Sequence, residues 1–164
     1  MWSWFTFFLI GHILSVLVAF GPVFAFPLIA AQSQKDPVHG RFGAEIIDLI
    51  ERKITLRIAW VVAVFGIGLI FTAHVDFFSS PWILIAVVLY IAAYAFAGFV
   101  QAKNSARMVE LLKGMPAGPP PPGTPPPAEI VALGKKLQYG GMYLTLSIVA
   151  IVVLMVWKPG ATFT

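Results

Sequence analysis

The sequence predicts an all-α, polytopic membrane protein: a four-transmembrane-helix bundle with amphipathic helix extensions on its cytoplasmic side. Hydrophobic residues make up 59% of the 164 residues and charged residues only 11%, an apolar content above that of ordinary soluble domains. All but one of the 11 Lys and Arg residues fall in two segments, and the exception is Lys158. Four long runs without charge lie before, between and after these segments: residues 1–34, 58–75, 77–102 and 137–157. Each run has about 18 residues or more, enough to cross ~30 Å of hydrocarbon as a helix.

The basic residues also predict the orientation of the chain. Lys and Arg accumulate in cytoplasmic loops, so we expect residues 34–57 and 103–136 in the cytoplasm and residues 74–80 outside. Both termini then lie outside a bacterial cytoplasmic membrane. Trp and Tyr prefer the two membrane interfaces, and the aromatic residues agree with this topology. Those expected at the outer edge are Trp2, Trp4, Trp82 and Trp157, and those at the inner edge are Trp60 and Tyr139.

The first transmembrane helix is predicted over residues 4–31. It starts without positive charge and continues through about 25 apolar residues, unlike a cleaved signal peptide, so we expect it to remain in the mature protein. Pro22 and Pro27 lack backbone donors and predict a kink in its inner half. Small residues at a spacing of four predict close packing against another helix. They are Gly11, Ser15 and Ala19.

An amphipathic helix is predicted over residues 43–57, continuing into the second transmembrane helix at residues 56–76. Apolar residues recur there at helical spacing: Phe42, Ile46, Ile47, Ile50 and Ile54. Charged residues occupy the opposite face: Glu45, Asp48, Glu51 and Arg52. Asp48 and Arg52 are spaced as a stabilising ion pair.

The third and fourth transmembrane helices are predicted over residues 81–102 and 137–157. Between them lies a linker, residues 114–127, with eight prolines, which excludes a helix and favours a polyproline-like or irregular chain. We interpret it as a stiff spacer; a docking peptide for a proline-binding domain is the alternative. Polar helical extensions flank the linker at residues 101–113 and 128–136. Residues 1–164 are treated as a single membrane domain.

His12 is the strongest candidate for a functional residue, because ionisable groups inside a membrane are costly and usually functional. It lies eight residues past Trp4, about 12 Å below the outer interface. Tyr90 is expected at the same depth, and His74 within roughly 9 Å of the outer interface. These three residues are the predicted cofactor contacts, and His12 is the predicted metal ligand.

Three roles for His12 stay open. The first is an axial ligand to a b-type haem, which needs an oriented neutral imidazole. The second is a proton relay or a quinone contact. The third is a structural residue that forms a hydrogen bond across helices. A haem with two histidine ligands requires His12 and His74 to face each other at equal depth.

Several classes of site are excluded by residue type. The chain has no cysteine, so it has no disulfide, thiolate metal site or sulfur-ligated cluster. We find no phosphate-binding glycine loop, zinc-protease motif or Ser/His/Asp set, and we predict no catalytic residues. The isoelectric point near 9.6 follows from the cytoplasmic loops and does not indicate a nucleic-acid partner. The expected partners are the lipid bilayer and other membrane subunits.

Two segments of the first helix, GHIL at residues 11–14 and FGPVFAFP at residues 20–27, resemble an uncharacterised bacterial family of small predicted integral membrane proteins. That family is similar to membrane-type protoporphyrinogen oxidases and CopD-like copper-resistance proteins. The residues that match their pattern are His12, Gly21, Arg52 and Lys53, while Gly11 replaces a leucine. The resemblance implies haem bound through His12. The chain departs from the oxidases in lacking a lysine within its third transmembrane helix.

These observations lead to one expected function and two alternatives. We expect a protein that is not an enzyme and serves as a structural or accessory subunit of a membrane assembly, of a respiratory or redox type. The first alternative is a haem-binding membrane oxidoreductase with His12 as ligand. The second is a component of a transporter, although the membrane segments offer few polar groups to line a pore.

Overall fold

The computed structural model describes residues 3–35, 37–116 and 124–159. All regular structure in these residues is helical, which confirms the predicted fold class. The α-helices are α1 (Trp4–Phe20), α2 (Phe26–Lys35), α3 (Pro37–Ile50), α4 (Leu56–Thr72), α5 (Pro81–Phe96), α6 (Ala102–Lys113) and α7 (Ala128–Trp157). A 3-10 turn, Gly21–Ala25, joins α1 to α2. One π-helical turn, Glu51–Thr55, joins α3 to α4, and a second, Ala97–Gln101, joins α5 to α6.

Within this described part of the chain, 4 continuous helical stretches are long and apolar enough to cross a membrane. They are Trp4–Lys35, His39–Thr72, Pro81–Lys113 and Ala128–Trp157. Each extends beyond its apolar run at the end where the basic residues lie, because the polar flanking segments continue the helix. We call this the basic end, formed by α2, α3, α6 and the first turns of α7, and the opposite end the far end.

The first helix begins where its sequence predicts, and its α-helical course is interrupted at Pro22. At its start, the Ser3 hydroxyl accepts a hydrogen bond from the Thr6 backbone N–H, 3.2 Å away, and so caps the first turn. The 3-10 turn contains Pro22, which has no backbone N–H to donate. The chain then continues as α2, so the proline interrupts the α-helix without ending it.

The predicted amphipathic helix is confirmed and runs without a break into α4. Arg52 Nε donates to Asp48 Oδ1 at 2.8 Å, which confirms the predicted pair. One expectation was wrong: Glu51 is not on a solvated face but is only 5% exposed. The reason is that α6 packs against α3 and covers this side chain.

α1 and α4 pack closely through aromatic rings that fill glycine notches. The Phe65 ring lies over Gly11, and the Phe8 ring lies over Gly68. These reciprocal contacts leave no room for a Cβ at either glycine. α1 and α4 thus form one helix pair.

α5 and α7 form a second helix pair. Gln101 Nε2 donates to the Leu137 carbonyl at 3.1 Å, and the Phe96 and Tyr143 rings meet edge to face. At the far end, the Lys158 ammonium lies 5.6 Å from the centre of the Trp82 ring. This contact ties the end of α7 to the start of α5.

The described ends of the proline-rich linker, residues 114–116 and 124–127, are not helical, as predicted. The remaining prediction, a polyproline-like course through residues 117–123, lies outside the described residues.

Candidate functional site

His12 is fixed against α4 by a hydrogen bond from its ring. Its Nδ1 lies 3.0 Å from the Val62 carbonyl oxygen, and because a carbonyl only accepts, Nδ1 must carry the hydrogen. The ring sits in a notch at Gly66, where a Cβ would come 3.2 Å from His12 Cε1. Nε2 is then an unprotonated acceptor, and no hydrogen bond to it is formed by the residues described.

Tyr90 reaches the same helix from the other pair. Its hydroxyl donates to the Ala59 carbonyl at 2.5 Å. Ala59 and Val62 are separated by about 4.5 Å along α4, so His12 and Tyr90 bond neighbouring turns. The expectation that they lie at one depth therefore agrees with this geometry, although each bonds α4 and not the other.

His74 lies apart from His12. It is exposed and follows the end of α4 in a left-handed conformation, with φ 51°. The helix from Val62 to Thr72 already spans about 15 Å, whereas two ligands of one metal ion each lie ~2 Å from it. The structure does not bring the two histidines together.

A cleft of about 2550 Å³ lies between the helix pair α1/α4 and the helix pair α5/α7. The two pairs also meet directly, because the Tyr90 and Tyr94 hydroxyls of α5 donate to main-chain carbonyls of α4. His12 and Tyr90 line it, and most of the other lining side chains are apolar. Small-molecule pockets are typically ~300–1,000 Å³, so the cleft is larger than one small ligand requires. Its walls include one small, partly exposed residue from each pair, Ala63 on α4 and Ala93 on α5.

A group of buried polar side chains lies where the cleft reaches the basic end. We call it the polar cluster, and its members are Glu51, Thr55, Gln101 and Ser105. The sequence did not predict this cluster, because its residues fall in segments expected to be solvated helical extensions. A signal for it was present in the sequence. Glu51 and Thr55 are four residues apart beside an apolar run, and so are Gln101 and Ser105. The topology brings both segments to the same end of the molecule.

Metal-binding groups are sparse in the described residues. They contain no cluster of three or more His, Asp or Glu side chains that could hold a metal ion. A metal ion bound at His12 would therefore have either this one protein ligand alone or further ligands supplied by a cofactor.

Comparison with known proteins places the chain in a family. A family model described as "Predicted integral membrane protein (DUF2269)" matches residues 7–159. The chain belongs to this family. DUF2269 membership confirms the expected family of small membrane proteins and, with the helical spans, indicates contact with the lipid bilayer. No curated protein and no solved structure matches this DUF2269 chain.

Proposed function

We propose that this DUF2269 protein is an accessory subunit, not an enzyme, of an assembly in the bacterial cytoplasmic membrane. Residues 1–164 form one membrane domain, with the basic end in the cytoplasm and both termini outside. The observation that carries the proposal is the apolar cleft between the two helix pairs, which suits a transmembrane helix of a partner subunit.

The size of the cleft supports this occupant. A helix about 10 Å across and 30 Å long fills roughly 2,400 Å³, close to the cleft volume of about 2550 Å³. Small residues on the walls allow another backbone to approach closely, which is how helices associate in membranes. The apolar lining favours a membrane segment over a hydrated solute.

Photo-cross-linking from single cysteines tests this proposal, because the chain has no cysteine of its own. Val87 on α5 lines the cleft, whereas its neighbour Val88 is 65% exposed and points away. We expect Val87→Cys with a benzophenone label to form one protein adduct of defined mass in native membranes. Val88→Cys should form none. Equal adducts from both positions, or lipid adducts alone from Val87→Cys, would contradict the proposal.

A second candidate function is a haem-binding oxidoreductase, and the specific observation in its favour is the orientation of His12. Metal-ligating histidines usually donate their second ring N–H to a carbonyl or carboxylate, as Nδ1 does to Val62. His12 Nε2 would hold the iron, and Gly66 leaves room for the ring. Bound haem would supply one-electron chemistry.

A reduced-minus-oxidised spectrum of protein purified from haem-replete cells tests the second candidate. Haem ligation predicts an α-band that His12→Ala abolishes. His74→Ala should leave the spectrum unchanged, because His74 is distant from His12. A preparation without haem absorbance removes this candidate and leaves the accessory role intact.

A further inference from the structure

A groove of about 490 Å³ lies on the helix pair α5/α7, where α7 packs against the end of α5 and the start of α6. Among the described residues, none lines both this groove and the cleft, so the two spaces have different walls. Val100 and Tyr143 line the groove and are 42% and 41% exposed. The groove is therefore open to the surroundings of the bundle.

Each wall of the groove is one stripe of a helix, with residues three or four apart on the same face. The first wall consists of Phe96, Val100 and Asn104. The second wall consists of Lys136, Tyr139, Gly140 and Tyr143.

The register of the two walls places their polar residues at the same end. α5 and α7 run antiparallel, because the start of α5 meets the end of α7. The Phe96 and Tyr143 rings meet with 5.0 Å between their centres. From this contact, Asn104 is eight residues along one wall and Lys136 seven residues along the other, which is about 10–12 Å in each case. The groove thus has an aromatic end and a polar end.

The groove is held in shape by contacts within the protein. Gln101 Nε2 donates to the Leu137 carbonyl at 3.1 Å, which ties the π-helical turn before α6 to α7. The Gln101 side chain and the Phe96 ring occupy the space where a Cβ of Gly140 would lie. A ligand therefore finds a formed groove and does not have to order its walls, which favours binding.

The polar end presents donors that no described residue satisfies. Lys136 is exposed, and the ion pairs within the described residues do not include it. The Asn104 amide and the Tyr139 hydroxyl also form no hydrogen bond with the described residues. An ammonium, an amide and a hydroxyl can all donate to one anion, and no acidic residue lines the groove. This end favours a negatively charged group.

The groove crosses the boundary of the membrane. Phe96, Val100 and Tyr143 lie within the predicted transmembrane helices at residues 81–102 and 137–157, whereas Asn104 and Lys136 lie just outside them. A ligand that fits both parts combines an anionic group with an apolar chain. A peptide would bring backbone polar groups into the apolar part, where they are costly. A phospholipid has both features, and basic pockets between transmembrane helices bind acidic lipid headgroups.

We propose that this groove binds one anionic phospholipid. Its phosphate accepts hydrogen bonds from Lys136 and Asn104, and one acyl chain lies against Val100. The lipid site is separate from His12 and from the cleft, and it depends neither on a partner helix nor on haem. Because the lipid contacts both walls, it stabilises the junction of α5 and α7.

Native mass spectrometry of the full chain, delipidated in detergent, tests the headgroup contact. We expect added phosphatidylglycerol to form a complex with one bound lipid, and uncharged phosphatidylcholine to bind about fivefold more weakly. Lys136→Gln should weaken phosphatidylglycerol binding about fivefold, the effect of one basic residue. Lys135→Gln is the matched control and should bind normally, because Lys135 is also exposed but lines the cleft.

A second pair of variants tests the position of the acyl chain. Val100→Trp places a large ring in the groove and should abolish phosphatidylglycerol binding. Phe99→Trp should leave binding unchanged, because Phe99 is 72% exposed and does not line the groove.

Equal binding of phosphatidylglycerol and phosphatidylcholine would overturn the proposal, because the groove would then not select charge. Equal effects within either pair of variants would place the lipid elsewhere on the protein. Displacement of phosphatidylglycerol by the same concentration of glycerol phosphate would assign the polar end to a soluble anion. If Val100→Trp does not fold, the comparison of Lys136→Gln with Lys135→Gln decides, since both change an exposed side chain.

Discussion

His12 Nδ1 donates a hydrogen bond to the main-chain carbonyl of Val62, 3.0 Å away on the adjacent helix. This bond determines which ring nitrogen is free. It also links α1 to α4 at the level where the Gly66 notch accepts the ring. The same contact serves helix packing and leaves Nε2 without a hydrogen on a residue that lines the cleft.

The His12 bond contributes to stability whether or not a cofactor binds. We expect His12→Phe to lower the free energy of unfolding by ~1 kcal/mol, the scale of hydrogen bonds between membrane helices. His74→Phe should change it little, because His74 is exposed. Denaturation of both variants in mixed micelles measures the difference. Equal stabilities would show that the bond to Val62 contributes nothing.

The glycine notches between α1 and α4 predict a strong steric effect. Gly68→Ala places a methyl group against the Phe8 ring, and we expect a loss of about 1–3 kcal/mol in unfolding free energy from overpacking. Gly98→Ala is the matched control, because no side chain beyond its chain neighbours and no other segment lies within 4 Å of its added Cβ. A melting temperature in Gly68→Ala as high as in Gly98→Ala would contradict the reciprocal packing.

The orientation of the chain can be tested at two loops. Ser79→Cys lies between α4 and α5 at the far end, and Gly114→Cys lies after α6 at the basic end. If Lys and Arg mark the cytoplasmic side, a membrane-impermeant maleimide added to intact cells labels only Ser79→Cys. Labelling of Gly114→Cys alone would reverse the proposed topology.

The loop between α4 and α5 predicts a shifted titration. Asp76 accepts hydrogen bonds from the Ser79 hydroxyl and backbone N–H and from the Phe78 N–H, and these bonds, those of Ser79 foremost, lower the pKa of its carboxyl. Its contribution to stability is therefore present above the unfolded pKa and is lost as pH falls through the lower folded pKa.

A carbon-detected NMR titration of the Asp76 carboxyl measures this shift. We expect Ser79→Ala to raise the pKa of Asp76 toward its ordinary value, because it removes the hydroxyl donor. Ser80→Ala, a neighbouring change that leaves these bonds intact, is the control. An unchanged midpoint in Ser79→Ala would assign the shift to the backbone donors.

Sequence patterns predicted the features that depend on residues close together in the chain. The four spans, the interruption at Pro22 and the Asp48–Arg52 pair follow from runs of apolar residues, missing donors and helical spacing. The burial of Glu51 did not follow, because it depends on which side of α3 is covered by α6. Helix rotation and the π-helical turns arise from contacts between segments distant in the chain.

The candidate site was predicted in part for the same reason. Counting residues from the interfaces placed His12 and Tyr90 at neighbouring depths, and both bond α4. It left open whether His74 faces His12, because depth alone ignores where a helix ends. α4 stops at Thr72, and His74 is left on an exposed turn.

The uninterrupted helical path from His39 to Thr72 joins the two ends of the molecule through one segment. Arg41 lies toward its basic end, and the Val62 carbonyl and the Gly66 notch lie toward its far end. A change in the tilt of this segment at the basic end would therefore also move the wall of the cleft that holds His12.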